Sequence, residues 1–124
     1  MLPRINRVTK KKDFEKIFKN SKGFKDDLLL YRAMKNNLDL NRFAFIVSKK
    51  VSKKATIRNK LRRRLAEIVA DEVKNISPNV QMKAGKDLIL TALPGAQKKE
   101  FSNLRESVAD ILIKVKITGN KKNV

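Results

Sequence analysis

The segment spanning residues 47–65 reads VSKKVSKKATIRNKLRRRL and contains nine lysines and arginines but no acidic residue. Ile57, Leu61 and Leu65 recur at four-residue spacing, which predicts a helix that buries one apolar stripe. The cations occupy the other faces of that helix, and several lie in its first turns, where the helix dipole and like-charge neighbours disfavour them. Because nothing within the segment offsets this cost, the pattern indicates a polyanionic partner.

The sequence on either side of this segment predicts two further helices and up to four strands. Phe14, Ile17 and Phe18 recur at helical spacing in the first helix, with Thr9 as its N-cap. The segment 36–41 holds three Asn and one Asp, so we expect a turn there and a hairpin between the strands that flank it. The predicted helices are 10–20, 57–76 (capped by Thr56) and 98–116, and the predicted strands are 28–35, 42–48 and 87–93, with a short strand near Phe24.

The length and composition of the chain favour one folded domain. Its 124 residues carry 31 Lys and Arg against 12 Asp and Glu, a net charge of +19, and 41% of them are hydrophobic. A chain of this length buries roughly two thirds of its unfolded surface, which is enough for a packed core. The order of elements predicts an α+β sandwich with helices against one sheet. We expect a single domain over residues 1–117, a loop over 77–85 and a disordered tail over 118–124.

The residue types that the chain lacks exclude several functions. It has no Cys, which excludes disulfides and thiol chemistry, and no His, which removes the commonest general base and the usual transition-metal ligand. Its longest apolar runs are far shorter than the roughly 20 residues of a membrane-spanning helix, and its start lacks the apolar stretch of a secretory signal. We therefore expect a cytoplasmic protein with no membrane partner. We also expect no catalytic residue and no metal site, since four aspartates fall at predicted turns or strand ends: Asp26, Asp27, Asp39 and Asp87.

The cationic helix face and the nearby aromatic residues are the candidate binding features. A charge run is usually solvated surface, but such surfaces interleave both signs, and here no acid occurs between Asp39 and Glu67. The face therefore predicts phosphate contacts, for which the planar guanidinium of arginine is suited. Phe14, Phe18 and Tyr31 either stack on single-stranded bases or pack in the core, and sequence spacing does not choose between these alternatives.

Four stretches together resemble the protein subunit of bacterial ribonuclease P: RINRV at 4–8, DFEKIF at 13–18, VSKKV at 47–51 and RNKLRRRL at 58–65. The resemblance covers nearly the full chain, and the last two stretches at this separation are highly specific. The chain departs from the family at Lys60, where a second Arg is usual. It departs again at Ser52, Lys53 and Lys54, where the family loop is more often small and uncharged.

The resemblance implies an α-β-β-β-α-β-α fold of the ribosomal protein S5 domain 2-like class, with helices packed on a four-stranded sheet. The strands before and after the second helix would be parallel and joined by a left-handed crossover. General rules predict the opposite hand, because roughly 98% of such crossovers are right-handed.

The resemblance also implies the function. The chain would be the protein component of the ribonuclease P ribonucleoprotein, an endonuclease that removes the 5′ leader of precursor tRNA. The catalytic RNA subunit and its Mg²⁺ ions would perform the hydrolysis, the protein would bind the RNA subunit and the leader, and no obligate protein partner is expected. The implied RNA-subunit contacts are Arg58, Asn59, Lys60, Arg62, Arg63 and Arg64, with Lys53 and Lys54. The implied leader cleft holds Phe14, Phe18 and Tyr31, flanked by Lys10, Lys11 and Lys49.

Two other functions share these sequence features. A small ribosomal or general structured-RNA-binding protein would have the same charge and fold class but no part in tRNA maturation. A nuclease with its own metal ions would cleave RNA without an RNA subunit, and it would need convergent carboxylates that hold two metals about 4 Å apart.

Overall fold

A computed structural model of the chain describes residues 4–38, 40–74 and 85–115. Within these residues, three α-helices and four β-strands follow the order α-β-β-β-α-β-α, as predicted, with short 3₁₀ turns at Arg4–Asn6 and Ala96–Lys98. The helices are α1 (Lys11–Asn20), α2 (Ala55–Lys74) and α3 (Phe101–Lys114), and the strands are β1 (Phe24–Lys25), β2 (Leu29–Lys35), β3 (Arg42–Ile46) and β4 (Lys86–Ala92).

The four strands form one mixed sheet in the order β1-β2-β4-β3. Strand β4 pairs in parallel with β3 and antiparallel with β2, and β2 pairs antiparallel with β1. The parallel β3–β4 pair confirms the parallel arrangement expected for the strands before and after the second helix. The left-handed crossover between them stays a prediction. The predicted hairpin between β2 and β3 is wrong, because β4 lies between these two strands. The continuous apolar run of β4 suits that central place, where a strand is covered on both faces.

Each face of the sheet carries its own helices. Along β3 and β4, successive residues such as Leu88 and Ile89 enter different core clusters, as expected because successive side chains of a strand point to opposite faces of the sheet. The larger cluster packs the sheet against α2 and α3, which contribute apolar residues including Leu65 and Leu104. The smaller cluster packs the other face against α1 through Ile17. The expectation of helices against the sheet is therefore met, and among the described α-helices α1 is the one on its face.

Several predicted helix ends differ from the structure. Lys10, not Thr9, is the N-cap of α1, and no side chain caps that end. Thr56 lies within α2, which begins one residue earlier at Ala55. Helix α3 begins later than predicted, because a left-handed residue at Gly95 and a 3₁₀ turn precede it. The predicted end of the second helix at 76, the predicted loop over 77–85 except Gly85, and the tail over 118–124 lie outside the described residues.

A buried polar cluster ties α1 to the sheet. Arg42 donates two hydrogen bonds to the carboxylate of Asp87, from Nε to Oδ1 at 2.8 Å and from Nη2 to Oδ2 at 2.7 Å, and its Nη1 lies 3.2 Å from Oδ2 of Asp13 in α1. Asn36 donates to the same Asp87 carboxylate at 2.8 Å. The hydrogen bond to Asp87 raises the pKa of Arg42, although burial opposes the shift. Arg42 therefore holds the first turn of α1 against the starts of β3 and β4.

Glycine is required where this cluster meets the β2–β3 connection. A Cβ at Gly85 would lie 1.9 Å from the carbonyl oxygen of Leu40, and the Gly85 amide donates to the Leu38 carbonyl at 2.8 Å. The connection between β2 and β3 therefore crosses the start of β4 in direct backbone contact, which explains how it passes over that strand without forming a hairpin.

Candidate nucleic-acid interface

The loop between β3 and α2 is an ordered element that presents lysines. The hydroxyl of Ser48 accepts a hydrogen bond from the Lys50 amide, and the hydroxyl of Ser52 accepts one from the Lys54 amide, so each serine closes a local turn. The side chain of Val51 is buried in the core, and its carbonyl accepts a hydrogen bond from the Gln97 side chain at 2.7 Å. Between these anchors, four lysines are exposed: Lys49, Lys50, Lys53 and Lys54.

Arg58 and Arg62 join this loop to α2. The Arg58 guanidinium donates to the carbonyls of Ser52 and Lys53, both at 2.9 Å. Arg62 donates to the Val47 carbonyl at 3.4 Å and also to the side chain of Asn59. Both arginines are half-buried. They therefore serve the protein's own backbone as well as any partner, a role that the sequence did not reveal.

The remaining cations of the segment, all on α2, form no ion pair with any carboxylate in the described part of the chain. Lys60 and Arg63 are exposed and Arg64 is half-buried. Among residues 4–38, 40–74 and 85–115, every ion pair lies elsewhere, on Arg42, Arg105, Lys11 or Lys114. Eleven of the 12 acidic residues fall within these ranges, Asp39 being the exception. The predicted positive face therefore exists, and we call the exposed surface of Lys49, Lys50, Lys53, Lys54, Asn59, Lys60, Arg63 and Arg64 the basic face.

Acidic residues are concentrated in a different part of the structure. A groove between the turn before β2 and helix α3 is lined by four carboxylates together with Lys99, Asn103 and Ser107. Ser107 donates a hydrogen bond to Asp26 there. The charge of the protein is therefore unevenly distributed, with the basic face at the start of α2 and a carboxylate-rich groove beside α3. The four carboxylates are Asp26, Asp27, Glu106 and Asp110.

The α1 face of the sheet carries two of the three predicted aromatic residues. Phe14 is half-buried and packs against the smaller core cluster, whereas Phe18 is 43% exposed. The guanidinium carbon of Arg32, on β2, lies 5.1 Å from the centroid of the Phe18 ring, within the range of a cation–π contact. At the start of this helix, Lys11 is exposed and lies 4.0 Å from Glu15. Lys10 and Lys49, the other predicted flanking cations, are also exposed.

The structure corrects the grouping of Tyr31 with Phe14 and Phe18. Tyr31 packs against the larger core cluster, on the α2–α3 face of the sheet. Its ring stacks on Phe24 of β1, with the ring centroids 5.8 Å apart. Successive residues of a strand point to opposite faces, so Tyr31 and its neighbour Arg32 cannot both face α1. The residue that β2 contributes to the α1 face beside Phe18 is therefore Arg32.

Sequence reasoning missed Arg32 because it singled out the aromatic residue next to it. The signal that could have found it is the two-residue period of β2. Leu29 is fully buried, which assigns Leu29, Tyr31 and Ala33 to one face of the sheet. Residue 32 then belongs to the face that α1 covers. The two-residue period of β2 can be read from the sequence. The sequence does not show which face of the sheet α1 covers.

Metal sites and membrane-spanning helices also bear on the class of protein. Residues 4–38, 40–74 and 85–115 contain no group of three or more acidic residues placed to hold a metal ion. Within the same ranges, no helix is both long and apolar enough to cross a bilayer. An α+β domain with an unneutralised basic face and an exposed aromatic residue on its opposite face belongs to the class of small nucleic-acid-binding proteins.

Comparison with known proteins identifies the family within that class. The sequence pattern of the family described as Ribonuclease P matches residues 2–116, and the chain belongs to this family. A ribonuclease P protein component of Clostridium botulinum is 29% identical over 112 residues, which cover 90% of this chain and 96% of the relative. One from a Pseudanabaena species is 30% identical over 118 residues, covering 94% of this chain and 97% of the relative.

Solved structures agree with the fold. The ribonuclease P protein of Thermotoga maritima superposes with a TM-score of 0.73 at 27% identity, covering 87% of this chain and 96% of that protein. The Staphylococcus aureus protein superposes with a TM-score of 0.76 at 24% identity, covering 92% of this chain and 98% of that protein. Membership of the family gives the chain its role: it acts in tRNA 5′ processing as a partner of the ribonuclease P RNA subunit.

Proposed function

We propose that the chain contributes binding and positioning to ribonuclease P, while the RNA subunit performs the chemistry. In this proposal the basic face binds the RNA subunit, and the α1 face binds the single-stranded 5′ leader of precursor tRNA. The observation that carries the proposal is the absence of any ion pair on Lys60, Arg63 and Arg64 among the described residues. A helix surface that retains like charges without internal compensation favours a polyanion as its partner.

The physical basis of RNA-subunit binding is phosphate neutralisation. Each Lys or Arg placed against a phosphate releases condensed counterions, which supplies affinity without sequence preference. The basic face is suited to folded RNA because the hydrogen bonds of Arg58 and Arg62 fix the lysine-bearing loop to the first turns of α2. A preorganised set of cations loses less conformational entropy on binding than a flexible one.

Leader binding is supported by the exposure of Phe18. An aromatic ring that is 43% exposed on a folded helix leaves apolar surface for a splayed base to stack on. A double-stranded region offers no such base, because its bases are already stacked. The α1 face therefore favours single-stranded RNA, and the leader is a single-stranded part of the substrate that mature tRNA lacks.

Catalysis by RNA is supported by the composition of the protein. The chain has no His to act as general base. Two of its carboxylates, Asp13 and Asp87, are engaged by Arg42 in a structural cluster. Mg²⁺ held by the RNA subunit would activate the attacking water and stabilise the leaving oxygen. The protein would hold the leader so that the scissile bond reaches those ions, which is catalysis by orientation. Since both RNA partners are made in the cytoplasm, we place the protein there.

Reconstitution with components omitted in turn tests this proposal. Purified protein, the ribonuclease P RNA of the same genome and precursor tRNA are mixed at low Mg²⁺ concentration. We expect cleavage that requires the RNA and is stimulated by the protein. Cleavage by the protein alone would make it a nuclease in its own right. Cleavage by the RNA that the protein does not stimulate would favour a general RNA-binding protein.

Replacing Phe18 with alanine tests the leader site. Base stacking on an aromatic side chain is worth about 1–3 kcal/mol, so Phe18→Ala should weaken holoenzyme binding to precursor tRNA by about 5- to 150-fold. Binding of mature tRNA, which has no leader, should be unchanged. Equilibrium binding of both tRNAs measures the difference, and urea denaturation checks that the variant is folded. An equal loss for the two tRNAs would show that the α1 face does not bind the leader.

A further inference from the structure

Arg32 occupies an unusual position for an arginine. It lies in the second strand of a four-stranded sheet and is half-buried on the face that α1 covers. Its Nη1 donates to the carbonyl of Ser21, just after α1, at 2.9 Å. No carboxylate among residues 4–38, 40–74 and 85–115 forms an ion pair with it. Removing part of a charged group from water without a compensating acid is costly.

The guanidinium of Arg32 is also incompletely hydrogen-bonded. Its Nε is buried and has no hydrogen-bond partner among the residues that the structure describes. Its Nη2 edge lies beside Gly23, an exposed residue where an added Cβ would be 3.2 Å from Nη2. Because Gly23 has no side chain, nothing from that residue covers this edge. The protein therefore keeps a positive group with unused hydrogen-bonding capacity next to an exposed aromatic ring.

We propose that Arg32 and Phe18 together form a binding site for one nucleotide of a single-stranded RNA. Arg32 has two roles in this site. Its cation–π contact at 5.1 Å covers one face of the Phe18 ring, so that the half-exposed ring presents its remaining surface to a base. The guanidinium edge beside Gly23 then donates to the phosphate of the same nucleotide or its neighbour. This assignment rests on the proposed leader-binding role of the α1 face and deepens it by naming a second residue of the same site.

The alternative is that Arg32 only braces the turn after α1 through Ser21. The two possibilities differ in what a substitution changes. A brace contributes to the stability of the fold and affects both tRNAs equally once the protein is folded. A nucleotide contact affects only the tRNA that carries a leader, and its electrostatic part weakens as the salt concentration rises.

The test uses the holoenzyme reconstituted with Arg32→Gln or Arg32→Lys and measures equilibrium binding of precursor and mature tRNA at several salt concentrations. For Arg32→Gln we expect precursor affinity to fall by about 5- to 20-fold, from loss of the cation–π contact and one charge-assisted hydrogen bond. The affinity for mature tRNA should stay within about twofold of the unsubstituted value. The salt slope for precursor tRNA, which is the slope of log affinity against log salt concentration, should become less steep by about one unit. Arg32→Lys should recover the salt slope but only part of the affinity, since an ammonium keeps the charge without the planar contact.

Three comparisons make the outcome decisive. Lys114→Gln removes the same charge on the end of α3 and should leave the ratio of precursor to mature affinity unchanged. If Phe18→Ala lowers that ratio and Arg32→Gln does not, Arg32 is only a brace and the leader site stands without it. If neither variant lowers the ratio, the leader site itself is absent from the α1 face.

Gly23→Gln provides a second route to the same question should Arg32→Gln fail to fold. This substitution lies in an exposed segment and covers the guanidinium edge without removing the arginine. We expect it to lower precursor affinity and to leave mature tRNA binding and the urea midpoint unchanged. A folded Gly23→Gln variant with full precursor affinity would contradict the assignment of that edge to a phosphate.

Discussion

The triple variant in which glutamine replaces Lys60, Arg63 and Arg64 should bind the RNA subunit with a weaker salt dependence. We expect the slope of log affinity against log salt concentration to become less steep by about three units, one for each lost phosphate contact. These residues make no ion pair with any described carboxylate, so their removal breaks no salt bridge that the structure contains. It also removes like-charge repulsion within α2, and the free protein should become slightly more stable. Filter binding to the ribonuclease P RNA between 50 and 400 mM salt, about a threefold range of Debye length, measures the slope.

Single substitutions with the same charge change provide the control. Arg63→Gln on the basic face should lower the slope by about one unit, whereas Lys114→Gln on α3 should leave it unchanged. Arg62→Gln is a poorer probe, since Arg62 also donates to the Val47 carbonyl and its loss would loosen the loop. An equal effect of Arg63→Gln and Lys114→Gln would mean that net charge alone, and not the basic face, attracts the RNA.

Replacing Arg42 with methionine should lower the free energy of unfolding by about 3–5 kcal/mol, the usual cost of leaving one member of a buried ion pair without its partner. The Asp87 side chain is only 4% exposed, and Arg42 supplies two of its hydrogen bonds. Within the described part of the chain, the side chain of Asn36 would be the remaining hydrogen-bond donor to the buried carboxylate. Urea denaturation of the free protein, followed by circular dichroism, measures the loss.

Two variants separate the buried pair from ordinary surface charge. Lys114→Met breaks an exposed pair with Asp110 and should cost less than about 1 kcal/mol. The double variant Arg42→Met with Asp87→Leu removes both charges and should recover part of the loss. The raised pKa of Arg42 means that its stabilising charge is lost only as the pH rises through that value, so it persists at neutral pH. A loss below about 1 kcal/mol for Arg42→Met would show that Asp87 finds another partner.

The local features of the chain could be predicted because they depend on short-range periodicity. The spacing of Ile57, Leu61 and Leu65 gave α2 and the side that it buries, and Leu61 and Leu65 are indeed in the core. The helix start was misplaced because Thr56 was taken as a cap, and the chain instead enters α2 at Ala55. The positive face followed from the same spacing, since residues that leave the apolar stripe must face solvent or a partner.

The arrangement of the strands could not be predicted in the same way. A short, Asn-rich connection usually closes a hairpin, but here it crosses the start of β4 through contacts of Gly85 with Leu38 and Leu40. Pairing of β4 with β2 and β3 is set by contacts across some 50 residues, which no local pattern encodes. The place of Tyr31 was wrong for the same reason, because the face of β2 that meets α1 depends on how α1 packs.

Site-specific photo-crosslinking tests the role of the basic face most directly. The chain has no Cys, so one introduced thiol is a unique attachment point for a benzophenone probe. We compare Lys60→Cys on the basic face with Glu106→Cys beside the carboxylate-rich groove, each bound to ribonuclease P RNA at moderate salt. We expect strong crosslinks to the RNA from position 60 and few from position 106. Equal crosslinking from the two positions, or crosslinks from position 106 alone, would show that the basic face does not bind the RNA subunit.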